Sequence, residues 1–158
     1  MIIELFAGSA TFSQAAKEMG HKVWSTDIQQ NPHNSIDCVA DFLDLDVRSV
    51  PALWDEPVIL WASPPCQGFS IASCSHHWTK KGNEYTPKSE KAELGIEIGE
   101  RLQYWVRYFM RFHNSVYFIE NPRGMMRKMP WMPPNPATVT YCQYGDVSMK
   151  PTDIWTNS

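Results

Sequence analysis

The feature that most constrains the fold is a short apolar run at residues 57–61, followed by two consecutive prolines and a cysteine, Pro64-Pro65-Cys66. Prolines donate no backbone N–H and fix φ, so a strand formed by the apolar run has to end before them. The cysteine then lies in a loop at the carboxyl end of that strand, where open α/β sheets bind ligands. A thiol is activated by its surroundings, so Cys66 is a candidate nucleophile, with a buried structural cysteine as the alternative.

The rest of the chain alternates predicted strands with predicted helices, which is the pattern of an α/β protein. Strands are expected at residues 2–6, 22–28, 38–40, 116–119, 138–144 and 153–157. Helices are expected at residues 11–19 (closed by Gly20), 50–54 (a short turn) and 89–113. Residues 67–88 are expected to form the longest irregular region, which in a compact domain is usually functional or mobile.

The long predicted helix carries apolar residues at steps of three or four, which predicts one face packed on the sheet. They are Leu94, Ile98, Leu102, Trp105, Phe109 and Phe112. We interpret this stripe as core and not as a base-stacking surface. Gly95 and Gly99 lower the intrinsic helicity of the segment, and close backbone packing is our hypothesis for their presence.

A strand, a small-residue turn at residues 7–10 and a helix together predict a nucleotide-binding corner near the start of the chain. Asp27 ends the second predicted strand about twenty residues later, where Rossmann-like folds place an acid for ribose hydroxyls. Asp41 follows the third strand, beside Phe42. Each acid alone is compatible with a helix cap or a solvated loop. Together they favour a cofactor that carries a ribose and an amine-bearing base.

Length and composition fit one globular domain of 158 residues. Residues 1–75 carry three basic and nine acidic side chains, a net charge of −6, whereas residues 76–158 carry eleven basic and eight acidic, a net charge of +3. This asymmetry hints at one face for a polyanion. The start has no signal-peptide pattern and no apolar run reaches membrane-spanning length, so we expect a cytoplasmic protein. The four cysteines show neither disulfide nor common zinc spacing.

A second polar motif, Glu120-Asn121-Pro122, follows the predicted buried strand at residues 116–119. It is expected to present a carboxylate at the same edge of the sheet as Cys66. A short basic turn at residues 123–128 comes next.

In this order, the motifs resemble those of a DNA (cytosine-5) methyltransferase of the compact phage and prophage type, over essentially the whole chain. Residues 4–9 resemble the first cofactor motif, and Asp27 and Asp41 the acids of the next two strands. Residues 63–67 resemble the Pro-Cys-Gln nucleophile motif and residues 120–122 the Glu-Asn-Pro motif. The resemblance implies a Rossmann-like S-adenosylmethionine-dependent methyltransferase fold, a mostly parallel sheet with helices on both faces.

The resemblance also implies roles for individual residues. Cys66 would add to carbon 6 of a flipped cytosine, Glu120 would hold N3 and the exocyclic amine, and Asn121 would fix the Glu120 loop. The implied S-adenosyl-L-methionine site comprises Phe6, Ala7, Gly8, Ser9, Asp27, Ile28, Asp41, Phe42 and Pro65. Double-stranded DNA would be contacted by Gln67, Ser70, Arg123 and Lys150. No metal ligand is implied.

The sequence departs from the family in two places. The family's Gln-x-Arg-x-Arg run corresponds here to Ser148, Lys150 and Thr152, which keeps one point-like cation in place of the planar forks. Family members also continue into a target-recognition region and a helix that closes the cofactor site. We therefore expect a C-terminally short catalytic portion, with target recognition supplied by a second subunit in a split enzyme or by a missing part of the same chain.

Three other functions stay open at this point. One is a cofactor-binding or DNA-binding remnant without turnover. Another is a tRNA cytosine-5 methyltransferase built on the same motifs. The third is an amino-methyltransferase, although Cys66 lies where those enzymes need a stacking aromatic and Glu120-Asn121-Pro122 has no role in them.

Overall fold

The computed structural model describes residues 1–30, 32–33, 35–52 and 56–158. In chain order, its strands are β1 (Ile2–Leu5), β2 (Val23–Asp27), β3 (Cys38–Val39), β4 (Ile59–Ala62), β5 (Trp78–Lys81), β6 (Glu84–Pro87), β7 (Val116–Pro122), β8 (Ala137–Thr140) and β9 (Pro151–Thr156). Its α-helices are α1 (Thr11–Glu18), α2 (Cys74–His77) and α3 (Glu90–Phe112). Short 3-10 turns lie at Phe42–Asp44, Val47–Ser49, Ile71–Ser73, Met125–Lys128 and Tyr141–Tyr144.

Seven strands form one sheet in the order β3-β2-β1-β4-β7-β9-β8, and β5 and β6 form a separate antiparallel hairpin. Strand β1 pairs in parallel with β2 and β4, β2 pairs in parallel with β3, and β8 pairs antiparallel with β9. The predicted α/β class with a mostly parallel sheet is confirmed, and the arrangement is compatible with a Rossmann-like fold. The strand order reverses between β1 and β4, a position at which open sheets bind ligands.

The described chain divides into two compact units. The first comprises Met1–Ser63, Tyr104–Phe118 and Thr156–Ser158, and the second comprises Pro64–Gln103 and Ile119–Trp155. No helix among the described residues combines the length and the apolarity that crossing a lipid bilayer requires.

The core of the first unit is built on β1, all four residues of which are buried. The most deeply buried apolar side chains of this unit include Ile3 and Leu5 of β1, Leu60 of β4, and Trp105 and Phe109 from the second half of α3. A central strand with neighbours on both sides is usually a continuous apolar run, and β1 follows that rule at every position except one, a glutamate.

The second unit packs aromatic rings against the first half of α3. A Cβ at Gly95 would lie 2.9 Å from the Phe69 ring, and a Cβ at Gly99 would overlap the Trp131 ring, within 2.6 Å of Cζ2. The expected close packing at these glycines is therefore present, although the neighbours are aromatic side chains and not backbone. Phe69 also stacks on Trp78, with ring centroids 6.0 Å apart.

The prediction of an irregular region at residues 67–88 was wrong. The segment contains a 3-10 turn, helix α2 and the β5–β6 hairpin. A two-residue connection, Gly82-Asn83, reverses the chain, and Gly82 has φ +62°. Such connections favour glycine because they need positive φ. The hairpin is anchored by Trp78, which is buried and whose indole N–H donates to the Gly68 carbonyl at 2.6 Å.

Three smaller predictions also need correction. The strand predicted at residues 138–144 ends at Thr140, because Tyr141–Tyr144 winds into a 3-10 turn that ends at Gly145, φ +93°. Residues 50–52 of the predicted helical turn at 50–54 are not helical, and residues 53–54 lie outside the described residues. The ends of the apolar stripe on α3 are solvated, since Leu94 is 48% and Phe112 39% exposed.

Candidate active site

The turn that follows β1 is the most unusual stretch of backbone in the first unit. Three of its residues have positive φ: Phe6 at 60°, Gly8 at 52° and Ala10 at 53°. Glycine tolerates this region, but each other residue held there costs about 1–3 kcal/mol, and such positions cluster at ligand-binding sites. The Ala10 amide donates to the Ala7 carbonyl at 2.7 Å and closes the turn. The predicted succession of strand, small-residue turn and helix is therefore present, and the turn is tight and strained.

Asp27 holds this turn from the neighbouring strand. Its Oδ2 accepts a hydrogen bond from the Gly8 amide at 2.8 Å, and its Oδ1 accepts one from the Gln29 amide at 3.1 Å. Each carboxylate oxygen has a further lone pair, so these contacts leave acceptor capacity for a ligand. The spacing of Asp27 from the glycine turn predicts that the two lie close together, and the hydrogen bond from Gly8 shows that they do.

The other predicted cofactor residues of the first unit are divided between core and surface. Phe42 is buried, with its ring 4.8 Å from that of Phe6. Asp41 is exposed and caps the 3-10 turn after it by accepting from the Leu43 amide at 2.9 Å. Ile28 is 62% exposed directly after Asp27. The carboxylates of Asp27 and Asp41 and the exposed side chain of Ile28 therefore lie at or just after the carboxyl ends of β2 and β3.

Glu4 is a residue of this corner whose role the sequence did not reveal. It is 4% exposed, and its carboxylate accepts hydrogen bonds from the Ser13 amide at 3.0 Å and from the Ser13 hydroxyl. Ala10, at the start of α1, supplies no side-chain cap. Glu4 therefore caps the helix from the adjacent strand. Burial raises the pKa of the Glu4 carboxyl above its usual value. A glutamate within the otherwise apolar run of β1 was the sequence signal that could have identified this role of Glu4.

In the second unit, a single side chain joins the two polar motifs. Asn121 is fully buried, and its Nδ2 donates to the Pro64 carbonyl at 2.9 Å. Its Oδ1 is also buried and has no hydrogen-bond partner among the described residues. Cys66 lies two residues beyond this carbonyl and Glu120 directly before Asn121, and both are half-buried. The sequence-predicted nucleophile loop and carboxylate motif are thus tied to one another.

Backbone contacts extend this connection beyond Cys66. The Phe69 amide donates to the Cys66 carbonyl at 2.9 Å, and the Phe69 carbonyl accepts from the Met125 amide at 2.7 Å. Ser70 pairs with Gly124 in an isolated antiparallel bridge. A side chain at 124 would collide with the Phe69 carbonyl oxygen, so this approach requires glycine. The chain after the cysteine is held against the chain after the Glu-Asn-Pro motif.

The four predicted DNA-contacting residues fall into two groups within the second unit. Gln67 is exposed and lines a cleft of about 320 Å³ with Pro65. Ser70 is bridged to Gly124, and the amide of the preceding residue, Arg123, donates to the Pro151 carbonyl at 3.0 Å. Lys150 precedes Pro151, with its Nζ 5.2 Å from the centroid of the Tyr141 ring. The backbone pairings therefore bring Ser70, Arg123 and Lys150 close together.

An ion pair next to this group was not expected from the sequence. The Arg127 guanidinium donates to the carboxylate of Asp153, which is fully buried, and to the Thr138 hydroxyl. Asp153 raises the pKa of Arg127. The pair fastens the basic turn at Met125–Lys128 to β8 and β9. Arg127 is thereby committed to the fold, whereas Arg123 and Lys150 are exposed.

Comparison with known proteins assigns no family to the chain. A scan against protein-family models and a search of curated proteins both returned no match. In the part of the chain that the structure describes, no three His, Cys, Asp or Glu side chains are grouped so that they could hold a metal ion. The chemistry available is that of a strained turn braced by a carboxylate in one unit, and a thiol loop joined to a second carboxylate motif in the other.

Proposed function

We propose that the protein methylates carbon 5 of cytosine in double-stranded DNA, with S-adenosylmethionine as methyl donor and Cys66 as covalent nucleophile. The observation that carries the proposal is the hydrogen bond from Asn121 to the Pro64 carbonyl. It joins a cysteine loop to a carboxylate-bearing strand end inside one compact unit. A nucleophile and an acid–base group are what addition to an unactivated aromatic ring requires.

The chemistry gives Cys66 and Glu120 separate roles. Carbon 5 of cytosine is a poor nucleophile, so the Cys66 thiolate first forms a bond to carbon 6. The electron pair of the ring double bond moves to carbon 5, and Glu120 donates a proton to N3 to neutralise the charge. Carbon 5 takes the methyl group and its hydrogen leaves as a proton to solvent. The double bond reforms as the Cys66 thiolate departs, and N3 returns its proton to Glu120. Acid–base assistance of this kind is worth about 10²–10⁴ in rate.

Asn121 is the positioning residue of this proposal. Its buried amide fixes the carbonyl two residues before the nucleophile, which orients the Cys66 loop. Its unpaired Oδ1 is a buried acceptor, a costly arrangement that functional sites tolerate. The sequence-level expectation was that Asn121 fixes the Glu120 loop, and the hydrogen bond extends that role to the cysteine loop.

The polar and apolar groups around the strained turn of the first unit are compatible with S-adenosylmethionine. Asp27 and Asp41 offer carboxylate acceptors for ribose hydroxyls and an amino group, and the turn around Gly8 has open space where a side chain would stand. Ile28 offers an exposed apolar side chain for the adenine ring, whereas Phe42 is buried against Phe6 and is assigned to the cofactor by the resemblance alone. When bound, the cofactor supplies the methyl group, and these residues bind and orient it. Pro65, in the second unit, is assigned to the cofactor by the resemblance alone.

Double-stranded DNA is the proposed substrate because Ser70, Arg123 and Lys150 lie close together beside the Cys66 loop and two of them are cationic. Cations that contact phosphates position the duplex without reading its sequence. Extrusion of the target base costs a few kcal/mol, which these contacts and those of Gln67 would offset.

Covalent trapping tests the proposal. The chain is mixed with S-adenosylmethionine and a pool of duplexes of random sequence that contain 5-fluorocytosine. Fluorine at carbon 5 cannot leave as a proton, so the bond between sulfur and carbon 6 should persist and shift the protein on a denaturing gel. The Cys66→Ser variant should give no adduct, and Glu120→Gln should slow adduct formation more than it weakens cofactor binding. Cys142→Ser, at an exposed cysteine, is the matched control.

Each other outcome contradicts part of the proposal. An adduct that survives Cys66→Ser refutes the nucleophile. An adduct with RNA and none with DNA shifts the substrate to RNA. Cofactor binding by calorimetry with no adduct on any duplex indicates a binding remnant without turnover.

A further inference from the structure

A second cleft in the second unit is lined by none of the residues assigned to the reaction. It has a volume of about 500 Å³, within the range of small-molecule sites. Its walls come from the β5–β6 hairpin, the first half of α3 and residues 128–131. The side chains that carry the argument are three aromatic and three charged ones: Trp78, Tyr85, Trp131, Glu84, Glu100 and Lys128.

The aromatic walls of this cleft are fixed by packing. Trp131 lies across the α3 backbone at Gly99, where a Cβ would overlap its ring. The Trp78 indole is held by its hydrogen bond to the Gly68 carbonyl. Both rings pack on Phe69, with centroids 6.0 and 6.3 Å away. Flat apolar surfaces that are ordered without a ligand suit stacking of another ring, since little side-chain entropy is lost on binding.

The charges around the cleft are balanced. Glu84, Glu100 and Lys128 are exposed, and none of them takes part in any of the ion pairs among the described residues. Lys80 adds an ammonium group 5.5 Å from the centroid of the Tyr85 ring. The ammonium groups of Lys80 and Lys128 would repel a purely cationic ligand. The carboxylates of Glu84 and Glu100 would repel a purely anionic ligand. A ligand with an anionic end, a flat ring and hydrogen-bond donors can interact favourably with the ammonium groups, the aromatic rings and the carboxylates.

We propose that this cleft binds a nucleotide. The base stacks on Trp131 and Tyr85, with the buried Trp78 behind them. The Glu84 and Glu100 carboxylates accept hydrogen bonds from an exocyclic amino group, and Lys128 with Lys80 contacts the phosphate. The site therefore favours bases that carry an amino group over thymine, which has none. The inference concerns a site other than the Cys66 loop and does not depend on the methyl-transfer reaction.

The test is titration of the chain with dCMP, dAMP, TMP and deoxyribose 5-phosphate, read by calorimetry and by the ¹⁵N-labelled indole resonances. Assignment of the Trp131 resonance comes from Trp131→Phe. We expect dCMP or dAMP to bind about tenfold or more tightly than TMP and to shift that resonance. The Glu84→Ala/Glu100→Ala double variant should abolish this preference. Glu97→Ala, also exposed on α3 but outside the cleft, should leave it unchanged.

Lys128→Ala separates phosphate recognition from base recognition. It should weaken binding of every nucleotide and of deoxyribose phosphate by a similar factor, with the preference for amino-bearing bases retained. The proposal is overturned if no nucleotide shifts the Trp131 resonance at millimolar concentration, or if TMP binds as well as dCMP. Tighter binding of arginine amide than of dCMP would also overturn it, in favour of a cation site. Loss of dCMP binding in Glu120→Gln, but not in Lys128→Ala, would move the site to the reaction centre.

Discussion

The Asn121→Asp variant tests the hydrogen bond to Pro64 on which the proposed site depends. It keeps the shape of the side chain and replaces the donating amide NH₂ group by a carboxyl oxygen. When protonated, the new carboxyl can still donate to the Pro64 carbonyl. When ionised, it loses that hydrogen bond, worth about 1–3 kcal/mol, and buries an unpaired charge at a fully buried position. Together these should destabilise the variant by about 3–5 kcal/mol at neutral pH relative to the unaltered chain.

The pH dependence of this loss has a definite sign. Folding favours the protonated carboxyl, so its folded pKa lies above the unfolded value of about 3.9. Stability is therefore retained below about pH 3.9 and lost as the pH rises through the folded pKa. The steepest possible slope for one group is about 1.4 kcal/mol per pH unit, so a loss of 3–5 kcal/mol extends over roughly two to four units. It should be complete between about pH 6 and 8.

Urea unfolding followed by circular dichroism at pH 4 to 8 measures this directly, as the difference between variant and unaltered chain at each pH. Asn83→Asp, at an exposed position in the hairpin turn, is the control and should give a small difference that hardly varies with pH. A difference for Asn121→Asp that stays constant across the range would refute donation from Asn121 to the Pro64 carbonyl. The orientation proposed for the Cys66 loop would then lose its support.

Three further predictions concern the fold around the two sites. Burial raises the pKa of Glu4 above 4.5, so the unaltered chain should lose stability relative to Glu4→Gln as the pH rises above that value; parallel unfolding curves would contradict this. Gly99→Ala should cost about 1–3 kcal/mol in thermal unfolding because the new methyl group overlaps the Trp131 ring, and a stabilised variant would show that it does not. Asp153→Asn should cost about 2–4 kcal/mol in urea, below the loss for a fully buried pair because the Arg127 side chain is 26% exposed, and a change under 0.5 kcal/mol would contradict its structural role.

The sequence predicts local structure well where its pattern is compatible with only one type of secondary structure. The strand, turn and helix at the start of the chain and the long helix lie close to their predicted positions. The strand predicted at residues 116–119 continues to Pro122, so the Glu-Asn-Pro motif lies within its carboxyl end and not after it. The hairpin was missed although Gly82-Asn83 is a recognisable turn, because its anchor is the distant contact of Trp78 with Gly68. Residues 141–144 continue the alternation of a strand, yet they wind into a turn because the chain reverses before β9.

For the candidate sites, the sequence identifies residue types but not their partners. The distance of Asp27 from the glycine turn predicted their meeting, since that geometry is local to neighbouring parallel strands. The contact between Asn121 and Pro64 joins residues 57 positions apart in the sequence, and nothing in either segment specifies it. The aromatic cleft depends on three separate segments and could be found only in the folded chain.

The capping of α1 by Glu4 also has a consequence for the order in which this protein folds. The helix has eight residues, and its first residue lacks a local cap. Isolated helices of that length are marginal in water, because the first turn is costly to nucleate. The carboxylate that satisfies the Ser13 amide belongs to β1, which is buried only after β2 and β4 have paired with it. We therefore expect the strained turn to form only when the sheet assembles, and we expect an opening of β1 to release the turn and the helix together.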